Sequence, residues 1–218
     1  PTLVKEIHGG KYPTVIELHG EMIADKIMAP LNYSKEEYSQ VEKIIDHSLN
    51  LKSAHYSLHQ NRYKYALRNK VTGKEYETSQ FIYMRMAMAL AEDEPVETRM
   101  QDVAAYYDHF SRKRINAPTP YYVNLGTNLD GYASCCVYTT NDSWPSLLAG
   151  DVIAYSMTCM SAGIGSHIKT RSLNDPVRGG LIAHQGKIPY YRALVGAINA
   201  NLQNGRGGAA TEHYTAFD

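Results

Sequence analysis

Cysteine is scarce in this chain: three in 218 residues, at positions 135, 136 and 159, with no Cys-x-x-Cys spacing. An odd count without paired spacing excludes a disulfide framework. Excess charge is also lacking. Lysine plus arginine and aspartate plus glutamate stand at 22 each, which argues against a nucleic-acid coat, a polybasic membrane contact or an acidic tail, so ligands must be recognised locally. No apolar run reaches the roughly 18 residues of a membrane span, and PTLVKEIHGGKYP has no basic segment leading into an apolar core. A soluble, cytoplasmic protein with neither nucleic acid nor membrane as partner is expected. Phenylalanine and tryptophan are rare, three and one, against 18 tyrosines. Tyrosine buries a ring and keeps a polar tip, so the excess points to surfaces only half covered within this chain.

What is present suffices for a core: 44% hydrophobic residues, enough for one large domain or two small ones. Ser34-Lys35-Glu36-Glu37 reads as a capping box ahead of Tyr38, Val41, Ile44, Ile45 and Leu49 at helical spacing. YKYALRNKVTGKEYET alternates around Thr72-Gly73 as a hairpin would. Two helices joined at Pro95 follow, with Met84, Met86 and Met88 as core filler. At Asn116-Ala117-Pro118-Thr119-Pro120 two prolines call for extended backbone, and the character changes. YASCCVYTT reads as a strand, SLLAGDVIAYSMTCM as a helix, AGIGSHIKT as a short strand, IPYYRALVGAINANLQ as a helix, and GRGGAATEHYTAF as a glycine loop leading into a strand. The expected organisation is a mainly helical region over 1–115 and an α/β region over 116–218 that displays only about three strands, fewer than a buried parallel sheet needs.

Cys135 and Cys136 are neighbours in a strand, where alternate side chains point to opposite faces and a mutual disulfide is strained. They therefore have different jobs, and the default for each is a buried structural thiol. Gly205-Arg206-Gly207-Gly208-Ala209-Ala210 fits a dinucleotide turn formally, yet follows a helix and precedes a strand-like run, the reverse of that motif. A mobile loop that lays backbone and an arginine against a nucleotide is one reading; a helix C-cap is the other. Pro176-Val177-Arg178-Gly179-Gly180, with Lys169 and Arg171 before it, is a second basic loop suited to phosphate or simply to solvent. Asp142-Ser143 stands where it can cap the next helix. His55 and His59 lack the glutamate and third ligand of a zinc box, so no metal site is expected. The residues alone describe a nucleotide-binding α/β protein with unassigned thiols.

APTP, SCCV followed by NDSW, SAGIG, PVRGG, GKIPYYRAL and GRGGAAT, in this order, resemble the large catalytic subunit of class I ribonucleotide reductase. The likeness runs from about residue 34 to 218, and NKVTGKEYETSQF and ETRMQDVAAYYDHFS are similar to that family's helical region. The resemblance implies a ten-stranded α/β barrel, of which this chain has the first strands and another polypeptide the remainder. It implies reduction of ribonucleoside diphosphates by a thiyl radical, with a cysteine pair as reductant. Cys136 then falls on the first reducing cysteine, and Cys135 on a serine position beside it. Thr119, Ser134, Cys135 and Gly163 fall on substrate-binding positions, and Asp142, Ser143, Arg171, Arg178 and Arg206 on the effector site and its specificity loops. Cys159 matches no redox position and is expected as a buried helix thiol.

The resemblance also implies partners and ligands: a complementary fragment bearing the radical cysteine, a small subunit bearing the radical cofactor, dimerisation of large subunits, a thioredoxin- or glutaredoxin-type reductant, and deoxynucleoside triphosphates or ATP as allosteric effectors. No cofactor is expected on this chain itself. The family's Asn-x-Cys-x-Glu segment and second reducing cysteine are absent from the sequence, and the first 33 residues show no ATP-cone, so specificity control without an overall on/off switch is expected. A split large subunit, in a host cytoplasm if phage-encoded, is the leading account. A non-catalytic nucleotide-binding or assembly module derived from that enzyme is the alternative, and a small Rossmann-type oxidoreductase is disfavoured by the helix-loop-strand order.

Overall fold

The computed structural model describes residues 2–129, 131–160 and 162–201. It divides into two compact units, Pro1–Tyr132 and Ala133–Asp218. The first is helical: α1 (Thr2–His8), α2 (Val15–Ala24), α3 (Lys35–Ile44), α4 (His55–Gln60), α5 (Ser79–Leu90), α6 (Arg99–Ser111) and α7 (Thr119–Asn124). Local chemistry starts α2 and α3 in the same way. Thr14 and Ser34 each accept from the amide three residues on, and Glu17 and Glu37 reach back to the cap amides. Helix α5 is the centre of this unit. Every residue from Ser79 to Met88 is buried, the mark of a helix surrounded on all sides, and α6 and α7 pack against it. Met84, Met86 and Met88 are fully buried there, as expected of core filler.

Two buried ion pairs cross this core. Arg85 Nε donates to Glu77 Oε1 at 2.6 Å, while its two terminal nitrogens donate to the carbonyls of Tyr122, at 2.7 Å, and Leu125. Arg99 grips Glu37 through Nε at 2.5 Å and Nη2 at 2.7 Å. Both pairs satisfy charges that burial would otherwise make costly. Gly126, at φ 74°, sits so close that a Cβ there would lie 3.0 Å from Arg85 Cγ. Arg85 thus ties α5 to the far end of α7.

Several expectations change in this unit. The α3 periodicity stops at Ile44, and Leu49 belongs to a separate 3-10 turn, His47–Lys52. The expected hairpin is reduced to its turn. Asn69 Oδ1 accepts from the amides of Val71 and Thr72, but the only bridge is Arg68 to Glu75, and Asn61–Tyr65 forms a π-helical turn. Side chains won over alternation here, because Tyr65 stacks on Tyr122 and Arg62 binds Glu75. Of the two prolines, Pro118 is extended, whereas Pro120 lies in the first turn of α7, where a missing N–H costs nothing. The proline segment at 116–120 lies within the first compact unit. Of the tyrosines, Tyr38, Tyr76, Tyr83, Tyr107 and Tyr122 are buried, with hydroxyls on partners such as Gln80 for Tyr107 and Asp25 for Tyr76, while most of the other described ones are half-buried.

The second unit is β1 (Cys135–Thr140), α8 (Trp144–Cys159), β2 (Gly163–Ile168), β3 (Leu173–Val177), β4 (Ile182–Gln185) and α9 (Ile188–Asn199). Strands β1 and β2 pair in parallel with Cys136 opposite Ile164, and α8 is the crossover a parallel pair requires. Ala154, Ile168, Leu194 and Ile198 form its small core. Strands β3 and β4 form an antiparallel hairpin that sequence periodicity does not reveal, since Asn174, Asp175 and Pro176 are poor strand formers. The observed architecture is a mainly helical region followed by a few strands. The expected closing strand after Gly205 lies outside the described residues.

Candidate active site around Cys136

The alternation of β1 decides what its two thiols meet. Cys135, Val137 and Thr139 are exposed on one face, with Val137 at 81%. Cys136 and Tyr138 are half-buried and Thr140 buried on the other. That second face lies against α8, where Gly150 allows a close approach: a Cβ on it would stand 2.6 Å from Thr140 Cγ2 and 3.0 Å from Tyr138 Cε2. The default of two buried thiols is corrected, since Cys135 is exposed and Cys136 only half covered.

Near Tyr138 lies a polar contact that motif reading missed. Tyr190 of α9 donates to Asp151 Oδ1 at 2.6 Å and to the carbonyl of Leu147 at 3.2 Å, both on α8. Burial raises the hydroxyl pKa of Tyr138, and the nearby Asp151 and Cys136 raise it further. Tyr190 is likewise raised, first by burial and then by its bond to Asp151. Both tyrosines are therefore neutral at neutral pH. Tyr138 shares the face of Cys136 by strand alternation, whereas Tyr190 and Asp151, on α9 and α8, carry no motif and are joined only by the packing of the two helices.

The other candidate positions distribute as follows. Ser134 and Gly163 meet at the mouth of the strand pair, where the Gly163 amide donates to the Ser134 carbonyl at 2.9 Å. Asp142 follows β1 and accepts from Arg171 Nε at 2.9 Å. Ser143 occupies the N-cap position of α8 without a side-chain capping bond; its hydroxyl does not do the expected work, and Ser146 Oγ instead accepts from the Asn141 amide at 2.9 Å. Arg178 stands in the turn of the β3–β4 hairpin at φ 51°. Thr119 is the first residue of α7, in the helical unit. Arg206 lies outside the described residues.

Cys159 is also corrected. It is exposed, with Sγ 3.2 Å from Asn201 Oδ1. It continues a stripe of exposed side chains on α8, Trp144, Leu148, Val152 and Tyr155, spaced so as to share one helical face. Among the described residues no group of three or more histidine, cysteine or acidic side chains could hold a metal ion, and no helix is long and apolar enough to cross a membrane.

Comparison with known proteins decides the relationship. The family model described as "Ribonucleotide reductase, all-alpha domain" matches residues 52–130. The ribonucleoside-diphosphate reductase 1 subunit alpha of Escherichia coli K12 is 36% identical over 185 residues. The chain is a relative of ribonucleotide reductase large subunits. The alpha subunit of Enterobacteria phage T4 is 33% identical over 184 residues, and the large subunit of Ostreid herpesvirus 1 is 26% identical over 149. The first two alignments cover 84% of this chain and 24% of the relative; the third covers 67% and 18%. The chain thus spans about a quarter of the length of the curated reductases it matches. The helical unit is where the all-alpha reductase family model falls.

Proposed function

We propose that this chain supplies a reducing cysteine and part of the nucleotide-binding surface of a ribonucleoside-diphosphate reductase large subunit. The reading is carried by the identity to reductase alpha subunits over 84% of the chain, joined to the position of Cys136 at the start of a parallel strand with α8 behind it. A two-stranded parallel pair with Val137 of β1 exposed is an unfinished sheet, and in this reading further strands complete the barrel, contributed by the polypeptide that carries the radical cysteine. There a thiyl radical removes and later returns the 3′ hydrogen. Cys136 and a second cysteine beyond this chain supply two electrons and two protons. An S–S bond forms between them, the C2′–O bond breaks, the hydroxyl leaves as water, and C2′ gains a hydrogen. An external thioredoxin- or glutaredoxin-type dithiol then restores the pair, and the small subunit carries the radical cofactor.

In this reading Ser134, Cys135 and Gly163, at the mouth of the strand pair, contact the diphosphate and sugar, and Thr119 of the helical unit is a separate substrate-contact candidate. Asp142, Ser143, Arg171, Arg178 and Arg206 receive a nucleoside triphosphate effector. The Asp142–Arg171 pair is exposed and worth little by itself, so a triphosphate can take Arg171 from the carboxylate at small cost. The Trp144–Tyr155 stripe serves dimerisation of large subunits, burying aromatic and aliphatic area now in water. The test is Cys136→Ser in the completed large subunit with its small subunit and an external dithiol. Multiple-turnover reduction should vanish while effector binding stays; normal turnover defeats the assignment. Retained effector binding with no reduction by the unmutated protein would instead favour a nucleotide-binding or assembly module.

A further inference from the structure

In the helical unit, a cleft of about 280 Å³ opens between α4, the π-helical turn Asn61–Tyr65 and the connection from α6 to α7. Its walls are aromatic, with Tyr65 stacked on Tyr122 at 4.3 Å and Tyr83 beside them. Its polar groups are three amides, the hydroxyls of Ser57 and the tyrosines, and one cation, Lys113. Gln60 Nε2 donates to the Tyr65 hydroxyl at 2.8 Å, Asn61 Nδ2 to that of Tyr83 at 2.9 Å, and Asn116 Oδ1 accepts from Tyr122 at 3.4 Å. Each amide thereby keeps one end that makes no other hydrogen bond among the described residues, Oε1 of Gln60, Oδ1 of Asn61 and Nδ2 of Asn116, besides one remaining hydrogen or lone pair on the end already bonded. Two acceptors and one donor match a heteroaromatic edge that carries an exocyclic amino group next to a ring nitrogen. Lys113 stands at the rim with no carboxylate among the lining residues, and partial burial lowers its ammonium pKa without an acidic group to offset it. A cation so placed favours an anionic tail. The π-helical turn contributes both Asn61 and Tyr65, and such turns concentrate at functional sites.

We propose that this cleft binds an amino-substituted nucleobase bearing a phosphate monoester, the ring lying on the tyrosine wall and the phosphate at Lys113. The cleft is near the lower end of the size of small-molecule sites, about 300 Å³, which suits a monophosphate and excludes a dinucleotide. The proposal does not rest on the reductase reading, because every residue it uses lies in the helical unit. Titrations of AMP, CMP and UMP into the full-length chain, followed by calorimetry and amide NMR shifts, test it. AMP or CMP should bind with a Kd no weaker than about 1 mM, and UMP, which lacks the amino group, distinctly more weakly. Lys113→Gln, with its fold checked by circular dichroism, should weaken the binding about tenfold, and Gln60→Ala should also weaken it. Arg171→Gln, in the other unit, should leave it unchanged. Equal affinity for UMP, no saturable AMP or CMP binding, or binding indifferent to Lys113→Gln and lost in Arg171→Gln would overturn the proposal.

Discussion

Arg85→Met is the sharpest test of how the helical unit holds the segment that bears Thr119. Arg85 and Glu77 are 0% and 1% exposed at their side chains, and Glu77 Oε2 also accepts from the Leu67 amide at 2.7 Å. Methionine fills much the same volume but leaves the Glu77 carboxylate without its counter-charge and the Tyr122 and Leu125 carbonyls without donors. Removing one member of a buried pair costs about 3–5 kcal/mol, a large share of the roughly 5–15 kcal/mol that a domain of this size retains. Urea unfolding of the full chain, followed by circular dichroism, should show that loss. Amide exchange around Tyr122–Gly126 should accelerate beyond the general effect, since those carbonyls lose their anchor. Arg85→Lys should be intermediate, because an ammonium keeps the charge but cannot span two carbonyls and a carboxylate. In Arg85→Met with Glu77→Gln the stranded charge is gone, so about 2 kcal/mol of coupling should return. A single variant costing below about 1 kcal/mol, or a double variant whose cost is merely additive, would refute the reasoning.

Two further outcomes follow from the same packing. His19 is buried against Tyr38 at 3.1 Å, and burial first, then Arg85, depresses its pKa from 6.5 to about 3. The fold therefore keeps it neutral while the unfolded chain binds a proton, so stability is full above pH 6.5 and falls as pH drops toward 3; at pH 5 the loss is about 2 kcal/mol. His19→Gln should flatten the decline in urea midpoint between pH 7 and pH 5, and an undiminished decline in that variant would contradict the assignment. Glu37, held to about 2 by Arg99, contributes a second loss only below pH 4.5. Gly150→Ala should cost about 1–3 kcal/mol by overpacking, with the damage at β1 and α8; a Cys136 thiol modified no faster in that variant than in the parent would show that Gly150 does not set the Cys136 strand.

What could be read in advance depended on whether local chemistry and tertiary packing agreed. The Ser34 capping box, the α5 and α6 periodicities and the β1–α8–β2 crossover were legible, because each is written in neighbouring residues and each agrees with the fold. The hairpin expected around Thr72-Gly73 was not, since the stacking of Tyr65 on Tyr122 joins residues 57 apart in the chain and outweighs a local alternation. The same limit applies to the candidate site. Ser134 and Cys135 stand beside Gly163 because a parallel crossover returns β2 beside β1, whereas Asp142 lies past the other end of β1 with Arg171; the resemblance, not local spacing, singled these positions out. Of the groups near Cys136, Tyr138 shares its face by strand alternation, but the Tyr190–Asp151 bond joins two further elements and carries no spacing at all. Nor does sequence tell that Cys159 is exposed: matching no redox position, it reads as a buried thiol, and only the direction of the α8 stripe assigns it to the open face. That stripe and the bare face of β1 are the same physical statement made twice: the second unit has apolar surface on a helix and on a sheet that nothing in its own described residues covers.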